Sequence, residues 1–189
     1  MTFETRALTP ETWPAFARLV EAHNGVWGGC WCLAFHAGNK GHGDVAARCA
    51  AKKAMVAEGR THSALVLEDG ECLGWAQYGR PEELPAIKNL KAYNAGLVAV
   101  PDWRITCLFV GRAHRKRGVA EAGVAGALAL IAEAGSGVVE AYPEDVAGRK
   151  VSGSFLWNGT LAMFERMGFA RERKIGKHKW VVRREVVPD

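Results

Sequence analysis

The clearest chemical pattern in this sequence is a short basic loop that follows an apolar stretch. Residues 105–120 read ITCLFVGRAHRKRGVA, and Arg115, Gly118 and Ala120 meet the spacing Arg/Gln-x-x-Gly-x-Gly/Ala. If a helix begins here, its first N–H groups point outward without intrahelical partners, with the positive end of the helix dipole behind them. Small side chains at 118 and 120 let a phosphate approach, and Arg115 and Arg117 supply charged donors. The pattern predicts a pyrophosphate site, and its alternative is a solvated basic helix cap without a ligand.

A second candidate group, suited to proton transfer, lies further along the chain. Glu140 and Tyr142 are two residues apart on an expected strand, so their side chains share one face. If that face borders the reaction site, Glu140 is a candidate general base and Tyr142 a candidate acid. The alternative is a strand glutamate that is paired with an arginine.

Residues 28–36, GGCWCLAFH, form the most unusual segment. A metal set of Cys30, Cys32 and His36 lacks the C-x₂₋₄-C spacing and a clear fourth ligand, so no metal is predicted. A nucleophilic cysteine with His36 as its base is another alternative. A free cysteine is, however, usually a small buried hydrophobe.

The composition limits what kind of protein these groups belong to. The chain has 189 residues, 49% hydrophobic and 24% charged, which predicts one globular domain over residues 1–189. No apolar run approaches the ~18 residues of a membrane span, and the first residues do not resemble a signal peptide, so we expect a cytoplasmic protein. The scattered cysteines do not predict a disulfide framework. A net charge of +5 favours anionic ligands without requiring nucleic acid.

Local signals predict the elements that position these residues. Thr9-Pro10-Glu11 is typical of a helix start, Asp44 of a helix cap, and Asp69-Gly70 of a tight hairpin turn. Residues 24–43 are expected to form a long loop and residues 85–93 a short helix. Strands are predicted over residues 2–8, 62–67, 72–78, 103–110, 137–142, 169–173 and 179–184, and longer helices over 9–23, 44–59, 117–134 and 155–167. This order predicts an α/β or α+β sandwich.

The order and the motifs together resemble the GNAT superfamily of N-acetyltransferases, over roughly residues 3–182. The sharpest match is residues 105–120, and a second is TLAMFERMGF at residues 160–169, similar to the family's late helix with its Gly-Phe end. The resemblance implies a mixed, mostly antiparallel central sheet flanked by helices. It also implies that strand 105–110 splays from strand 138–142, with an acyl thioester in the gap. The implied acetyl-CoA contacts are Leu108, Phe109, Val110, Arg115, Lys116, Arg117, Gly118, Val119 and Ala120.

The sequence departs from the family pattern at the positions that carry its usual acid and base. Phe164 stands where many members have a tyrosine in the late helix, and Thr106 and Cys107 lie where many have a glutamate on the fourth strand. The region between the first two helices commonly shapes the acceptor site in this family. We therefore interpret the loop around residues 28–36 as glycine-hinged and lining the acceptor pocket. The acceptor contacts implied there are Trp31, Cys32 and His36. Gln77 on the third strand is a further candidate, and the alternative interpretation is that Gln77 only packs in the core.

The predicted function is transfer of an acetyl group from acetyl-CoA to an amine, on a small molecule or a peptide, by direct attack in a ternary complex. A homodimer is left open. One alternative is a CoA-binding sensor without catalysis. The other is a nucleic-acid-binding module that would contact phosphates through the basic tail at residues 171–184. The favoured interpretation of this tail is a solvated charged face.

Overall fold

In the computed structural model, which describes residues 3–38 and 43–188, the strands form one seven-stranded sheet. Thr2 of the first predicted strand and residues 39–42 of the predicted loop lie outside the described residues. The strands are β1 (Glu4–Ala7), β2 (His62–Glu68), β3 (Glu71–Gly79), β4 (Trp103–Val110), β5 (Gly137–Ala141), β6 (Ala170–Lys174) and β7 (Trp180–Val186). The helices are α1 (Trp13–Glu21), α2 (Val45–Ala57), α3 (Leu90–Ala95), α4 (Val119–Glu133) and α5 (Leu161–Arg166).

The sheet opens between its two central parallel strands. The strand order is β1-β2-β3-β4-β5-β7-β6, and only β4 and β5 run parallel among the paired strands of the described chain. Their pairing extends from Trp103 opposite Val139 to Ile105 opposite Ala141. The rest of β4, residues 106–110, has no partner on β5, so the two strands splay. The predicted fold class, a mixed and mostly antiparallel sheet flanked by helices, is confirmed.

A bulge marks the point where β4 leaves β5. Gln77 of β3 pairs with Cys107 and Tyr78 pairs with Ile105, so Thr106 is the extra residue on β4. A bulge bends a strand and turns a side chain in a new direction. Here the Thr106 hydroxyl donates to Gln77 Oε1 at 3.0 Å, beneath the opening of the sheet.

Both faces of the sheet are covered, which accounts for the continuous burial of β3 and β4. On one face α4 and α5 pack with sheet residues such as Ile105 and Val139. On the other face α1, α2 and the loop that follows α1 pack with residues such as Trp75 and Phe109. Among the helices of the described residues, none has both the length and the apolar character needed to cross a bilayer.

The local signals located several elements correctly. Asp44 caps α2, since its Oδ1 accepts from Ala47 N at 2.9 Å. Asp69 and Gly70 both have positive φ, at 50° and 78°. A two-residue hairpin turn needs such angles, because they match the right-handed twist of the two strands.

Three helix boundaries were wrong. The first helix begins at Trp13 because residues 9–12 form a separate turn, in which Thr9 O accepts from Thr12 N. The short helix lies at Leu90–Ala95 instead of residues 85–93. The late helix covers only Leu161–Arg166, because Gly159 has a φ of +73° and Thr160 caps the helix by accepting from Met163 N.

Candidate active site

A cavity of about 540 Å³ borders the opening between β4 and β5. Its wall combines the end of β4, the basic loop, the first turn of α4 and the segment before α5. All the predicted CoA contacts except Arg117 line it, namely Leu108, Phe109, Val110, Arg115, Lys116, Gly118, Val119 and Ala120. The lining also includes residues that the sequence patterns did not identify, among them Trp27, Leu156, Gly159, Met163 and Arg166.

The first turn of α4 has the geometry of an anion site. Lys116 and Gly118 lie in the left-handed region, with φ of 62° and 83°, and Gly118 caps the helix without a side-chain bond. The first intrahelical bond runs from Ala122 N to Gly118 O at 2.9 Å, which leaves the preceding N–H groups without helical acceptors. A Cβ built on Gly118 would meet no heavy atom within 4 Å. The residues present therefore fit a pyrophosphate that approaches the backbone at this point.

Arg117 has a different position from the one predicted. Its guanidinium donates to both carboxylate oxygens of Glu68, at 2.7 and 2.9 Å, and it does not line the cavity. This pair ties the basic loop to the end of β2. Arg115, by contrast, extends toward Gly153 on the opposite side of the cavity.

A smaller cavity of about 250 Å³ adjoins the first one. It is mostly apolar and is lined by Trp27, Cys30, Cys32, Ala34, Phe35, Cys107 and Trp157. Trp27 lines both cavities, and its ring makes edge contacts with Phe109 at 6.3 Å and with Trp157 at 5.9 Å between centroids. Two adjacent cavities that share one wall can bind two reactants side by side.

The loop that forms the smaller cavity has an unusual backbone. Residues 24–29 all have positive φ, including Val26 at 59° and Trp27 at 39°, and Trp31 and Cys32 follow at 47° and 55°. Such angles are costly for residues other than glycine and persist where the surroundings hold them, which is frequent at functional sites. The conformation directs Trp27 and Cys32 to the cavity, whereas Trp31 stacks on Trp13 in the core at 5.8 Å.

A buried hydrogen-bond network supports this loop from beneath. The Gln77 amide donates to Cys32 O at 2.8 Å and to His36 Nε2 at 2.9 Å, while its oxygen accepts from Thr106. Gln77 and His36 are buried and lie outside the lining of the cavity. Of the predicted acceptor contacts, Cys32 therefore borders the cavity, Gln77 and His36 hold the loop, and Trp31 belongs to the core. Their roles toward an acceptor stay predictions.

Glu140 and Tyr142 do share a face, but it belongs to a closed polar cluster. Glu140 Oε2 accepts from the hydroxyls of Tyr142, at 2.8 Å, and Tyr93, at 2.7 Å, and Oε1 accepts from Arg183 Nε at 2.9 Å. Glu140 is fully buried, and neither residue lines the two cavities. Burial and the Glu140 charge raise the pKa of Tyr142. These contacts favour the alternative of a strand glutamate paired with an arginine, and the acid and base roles remain untested predictions.

Sequence patterns identified neither Trp157 as part of the site nor Lys52 as a buried residue. Trp157 was assigned to a helix, whereas Leu108 N donates to its carbonyl at 2.6 Å and the side chain of the next residue, Asn158, donates to Thr106 O. Lys52 lies on α2, where a lysine usually faces solvent, and it is fully buried here. Repeated tryptophans near glycines were the one available signal for Trp27 and Trp157.

A sheet that splays between β4 and β5, with a basic loop and a helix N-terminus at the opening, defines the acetyltransferase class of α/β proteins. A family model described as the acetyltransferase (GNAT) family matches residues 31–169, and the chain belongs to this family. No curated protein matches the sequence.

Solved acetyltransferase structures share the fold over the whole chain. One from Thermus thermophilus is 13% identical with a TM-score of 0.53, covering 98% of this chain and 97% of that one. The PaiA N-acetyltransferase from Thermoplasma acidophilum, in complex with coenzyme A, is 13% identical with a TM-score of 0.51, covering 98% and 99%. The histone acetyltransferase HPA2 and related acetyltransferase from Corynebacterium glutamicum ATCC 13032 is 16% identical with a TM-score of 0.52, covering 100% and 98%. At these identities the likeness establishes the fold.

Proposed function

We propose that this protein transfers an acetyl group from acetyl-CoA to an amine acceptor by direct attack within a ternary complex. The observation that carries the proposal is the pair of adjacent cavities with Trp27 as their shared wall. The larger one has a basic rim and free helix N–H groups, which suit the phosphates of CoA. The smaller one has an apolar wall, which suits the carbon skeleton of an acceptor. The CoA that the PaiA structure contains supports the cosubstrate assignment.

The residues of the chain have separate tasks in this proposal. Arg115, Lys116 and the first N–H groups of α4 hold the pyrophosphate, and Leu108 to Val110 of β4 flank the pantetheine arm. Acetyl-CoA supplies the activated thioester. Holding it beside the amine replaces a bimolecular encounter by a positioned one. The Leu108 N–H donates to Trp157 O, so it polarises the acyl carbonyl only if the segment around Trp157 shifts.

The proposal is tested first by CoA binding to an Ala120→Glu variant. Ala120 is the second residue of α4 and lines the larger cavity, so a glutamate adds bulk and negative charge where the phosphates are expected. We expect the Kd of CoA, measured by calorimetry, to rise at least about tenfold, the equivalent of about 1.4 kcal/mol. Ala46→Glu is the matched control, because Ala46 is the second residue of α2 and lines neither cavity.

The second part of the test is turnover. The wild-type protein is incubated with acetyl-CoA and a panel of amines, and thiol release and a mass shift of about 42 Da on the acceptor, one acetyl in place of one hydrogen, are followed. Equal CoA affinity in both variants would contradict the cofactor assignment. Tight CoA binding without thiol release on any amine would favour a sensor, an alternative that the buried Phe164, which has no hydroxyl, keeps open.

A further inference from the structure

Among the described residues, a fully buried lysine without a carboxylate partner is linked by hydrogen bonds through Thr61 to His36, in the loop that forms the smaller cavity. Lys52 is 0% exposed, and its amino group donates to Thr61 Oγ1 at 2.6 Å. Within the described part of the chain, no carboxylate lies within 4.0 Å of its nitrogen. A buried ammonium group needs a compensating charge, because it has lost its hydration.

The Cys32 sulfur has the surroundings of a thiolate. Its Sγ accepts from the Trp75 indole N–H at 3.2 Å, and Cys107 on the same cavity wall and the charge of Lys52 also act on it. Burial by itself would raise the pKa of Cys32, but Cys107, Lys52 and Trp75 outweigh it and hold the pKa below its usual value. Each of the two charges therefore shifts the pKa of the other group toward its charged form.

The other titratable groups around this pair are Cys30 and Cys107 of the cavity wall and His36, whose Nε2 lies outside the cavity lining and is hydrogen-bonded to Thr61 and Gln77. Cys30 and Cys107 also line the cavity, and burial together with the negative charge of Cys32 raises the pKa of Cys30, while the hydrogen bond to Cys32 and burial raise that of Cys107. Burial lowers the pKa of Lys52, and the charges of Cys32 and Glu83 act against that shift. Cys32 is thus the thiol of the cavity wall that is best able to accept a proton near neutral pH.

We propose that the Cys32 thiolate, paired with Lys52, accepts a proton from the ammonium form of the acceptor in the smaller cavity. The proposal deepens the amine acetylation proposed above and rests on it. The geometry that supports it is a strained loop that presents Cys32 to the cavity, the Gln77 bond that fixes its carbonyl, and the absence of any carboxylate among the described residues that line the cavity.

The protons and bonds balance as follows. R–NH₃⁺ gives one proton to Cys32 S⁻ and becomes R–NH₂. The amine nitrogen then forms a bond to the acyl carbon, the carbon–sulfur bond of the thioester breaks, and the second nitrogen proton leaves with the CoA sulfur as a thiol. Cys32 S–H returns its proton to water. No covalent bond forms between Cys32 and the acetyl group.

The first test compares the pH profile of kcat/KM in Cys32→Ser and Cys72→Ser. Loss of a positioned base typically lowers the rate by about 10²- to 10⁴-fold, so Cys32→Ser should lose at least about tenfold at pH 7 with an unchanged Kd for CoA. Its profile should also lose the acidic limb seen in the wild type. Cys72→Ser is the matched control, because Cys72 is an equally buried thiol, burial raises its pKa to about 12, and it lines neither cavity.

Lys52→Met is the second variant, and its readout is the position of the acidic limb of the pH profile. A purely structural role of Lys52 would not shift this limb. Removing the ammonium group should raise the pKa of Cys32, so the acidic limb should move to higher pH while the rate at alkaline pH recovers toward the wild-type value. An unshifted limb would contradict the pairing of Lys52 with Cys32.

The third measurement needs neither a variant nor activity. Alkylation of the wild-type protein by iodoacetamide, followed by mass spectrometry of the Cys32 peptide across pH, gives the midpoint at which this thiol ionises. We expect it to coincide with the acidic limb of kcat/KM. A midpoint more than one pH unit from that limb, full activity in Cys32→Ser, or an acetyl group carried by Cys32 overturns the proposal. If no amine is acetylated at all, the proposed function fails and this inference fails with it, while the alkylation midpoint still shows whether Cys32 is a thiolate.

Discussion

Replacing Glu140 by glutamine separates a catalytic glutamate from a structural one. The structure predicts that Glu140→Gln lowers the free energy of unfolding and leaves the chemical step intact. The Glu140 carboxylate accepts from two tyrosine hydroxyls and from Arg183, all in a cluster that lines neither cavity. Glutamine removes the charge and places an NH₂ group, a donor, against some of these donors.

The magnitude follows from what the substitution leaves unpaired. Removing one partner of a buried ion pair typically costs about 3–5 kcal/mol. Arg183 keeps bonds to Glu172 at 2.5 Å and to Ala99 O at 2.6 Å, and its side chain is 22% exposed. Because Arg183 remains partly compensated, we expect the lower end of the range, about 3 kcal/mol. With a urea m-value of about 2 kcal/mol/M, the midpoint should fall by about 1.5 M.

The assay is urea unfolding at pH 7, combined with kcat/KM at a temperature where the variant is folded. Glu172→Gln is the matched control, since this more exposed partner of Arg183 should cost less than about 1 kcal/mol. The reasoning is refuted if Glu140→Gln unfolds like the wild type and loses tenfold or more in kcat/KM. That result would restore Glu140 as the general base.

Two further substitutions test the packing around the cavities. Burial lowers the pKa of Lys179 to about 8 from the ordinary 10.5. Between these two pH values the unfolded chain holds the Lys179 proton and the folded chain does not. The free energy of unfolding of the wild type should therefore rise, relative to that of Lys179→Met, as pH rises from 8 to 10.5. Over the 2.5 units the gain should be on the order of 3 kcal/mol, measured by urea unfolding at both ends of the range, and a constant difference would refute the shift. Gly159→Ala should destabilise the fold by roughly 1–3 kcal/mol and weaken CoA binding, because its Cβ would lie 2.8 Å from Leu108 Cδ1 at a φ of +73°. Gly148→Ala, at a φ of +68° with no atom within 4 Å, is the control, and an equal loss in both variants would show that only the backbone angle matters.

Local sequence signals were sufficient wherever the determining contacts are local. The bounds of β4 were predicted because residues 103–110 are mostly apolar and rich in strand formers, and the β2–β3 turn because Asp-Gly suits its positive φ angles. The start of α1 was misassigned because residues 9–10 and residues 12–14 both offer a threonine followed by a proline, and propensity does not choose between them. The start of α5 was misassigned because the Trp157 carbonyl and the Asn158 side chain bond to β4, about 50 residues away in sequence.

The site was less predictable than the fold for the same physical reason. The basic loop and the first turn of α4 form a local motif, so the residues that line this part of the larger cavity could be located from the sequence. The proposed pairing of Lys52 with Cys32 depends on residues from α2 and the loop after α1, and nothing in the helical pattern of α2 marks Lys52 as buried. Arg117 was expected among the CoA contacts, and its pairing with Glu68 at the end of β2 could not be seen from the loop sequence.

The missing glutamate on the fourth strand is related to the bulge in that strand. Where many relatives place a glutamate base on the fourth strand, this chain has a bulge whose Thr106 hydroxyl donates to Gln77. Gln77 in turn donates to the carbonyl of Cys32, so the fourth strand holds the loop instead of contributing a base. A proton acceptor is still required if the acceptor arrives as an ammonium ion, because a protonated amine has no lone pair with which to attack. The proposed role of Cys32 meets this requirement from the loop that follows α1, and the bond from Gln77 fixes the backbone of Cys32.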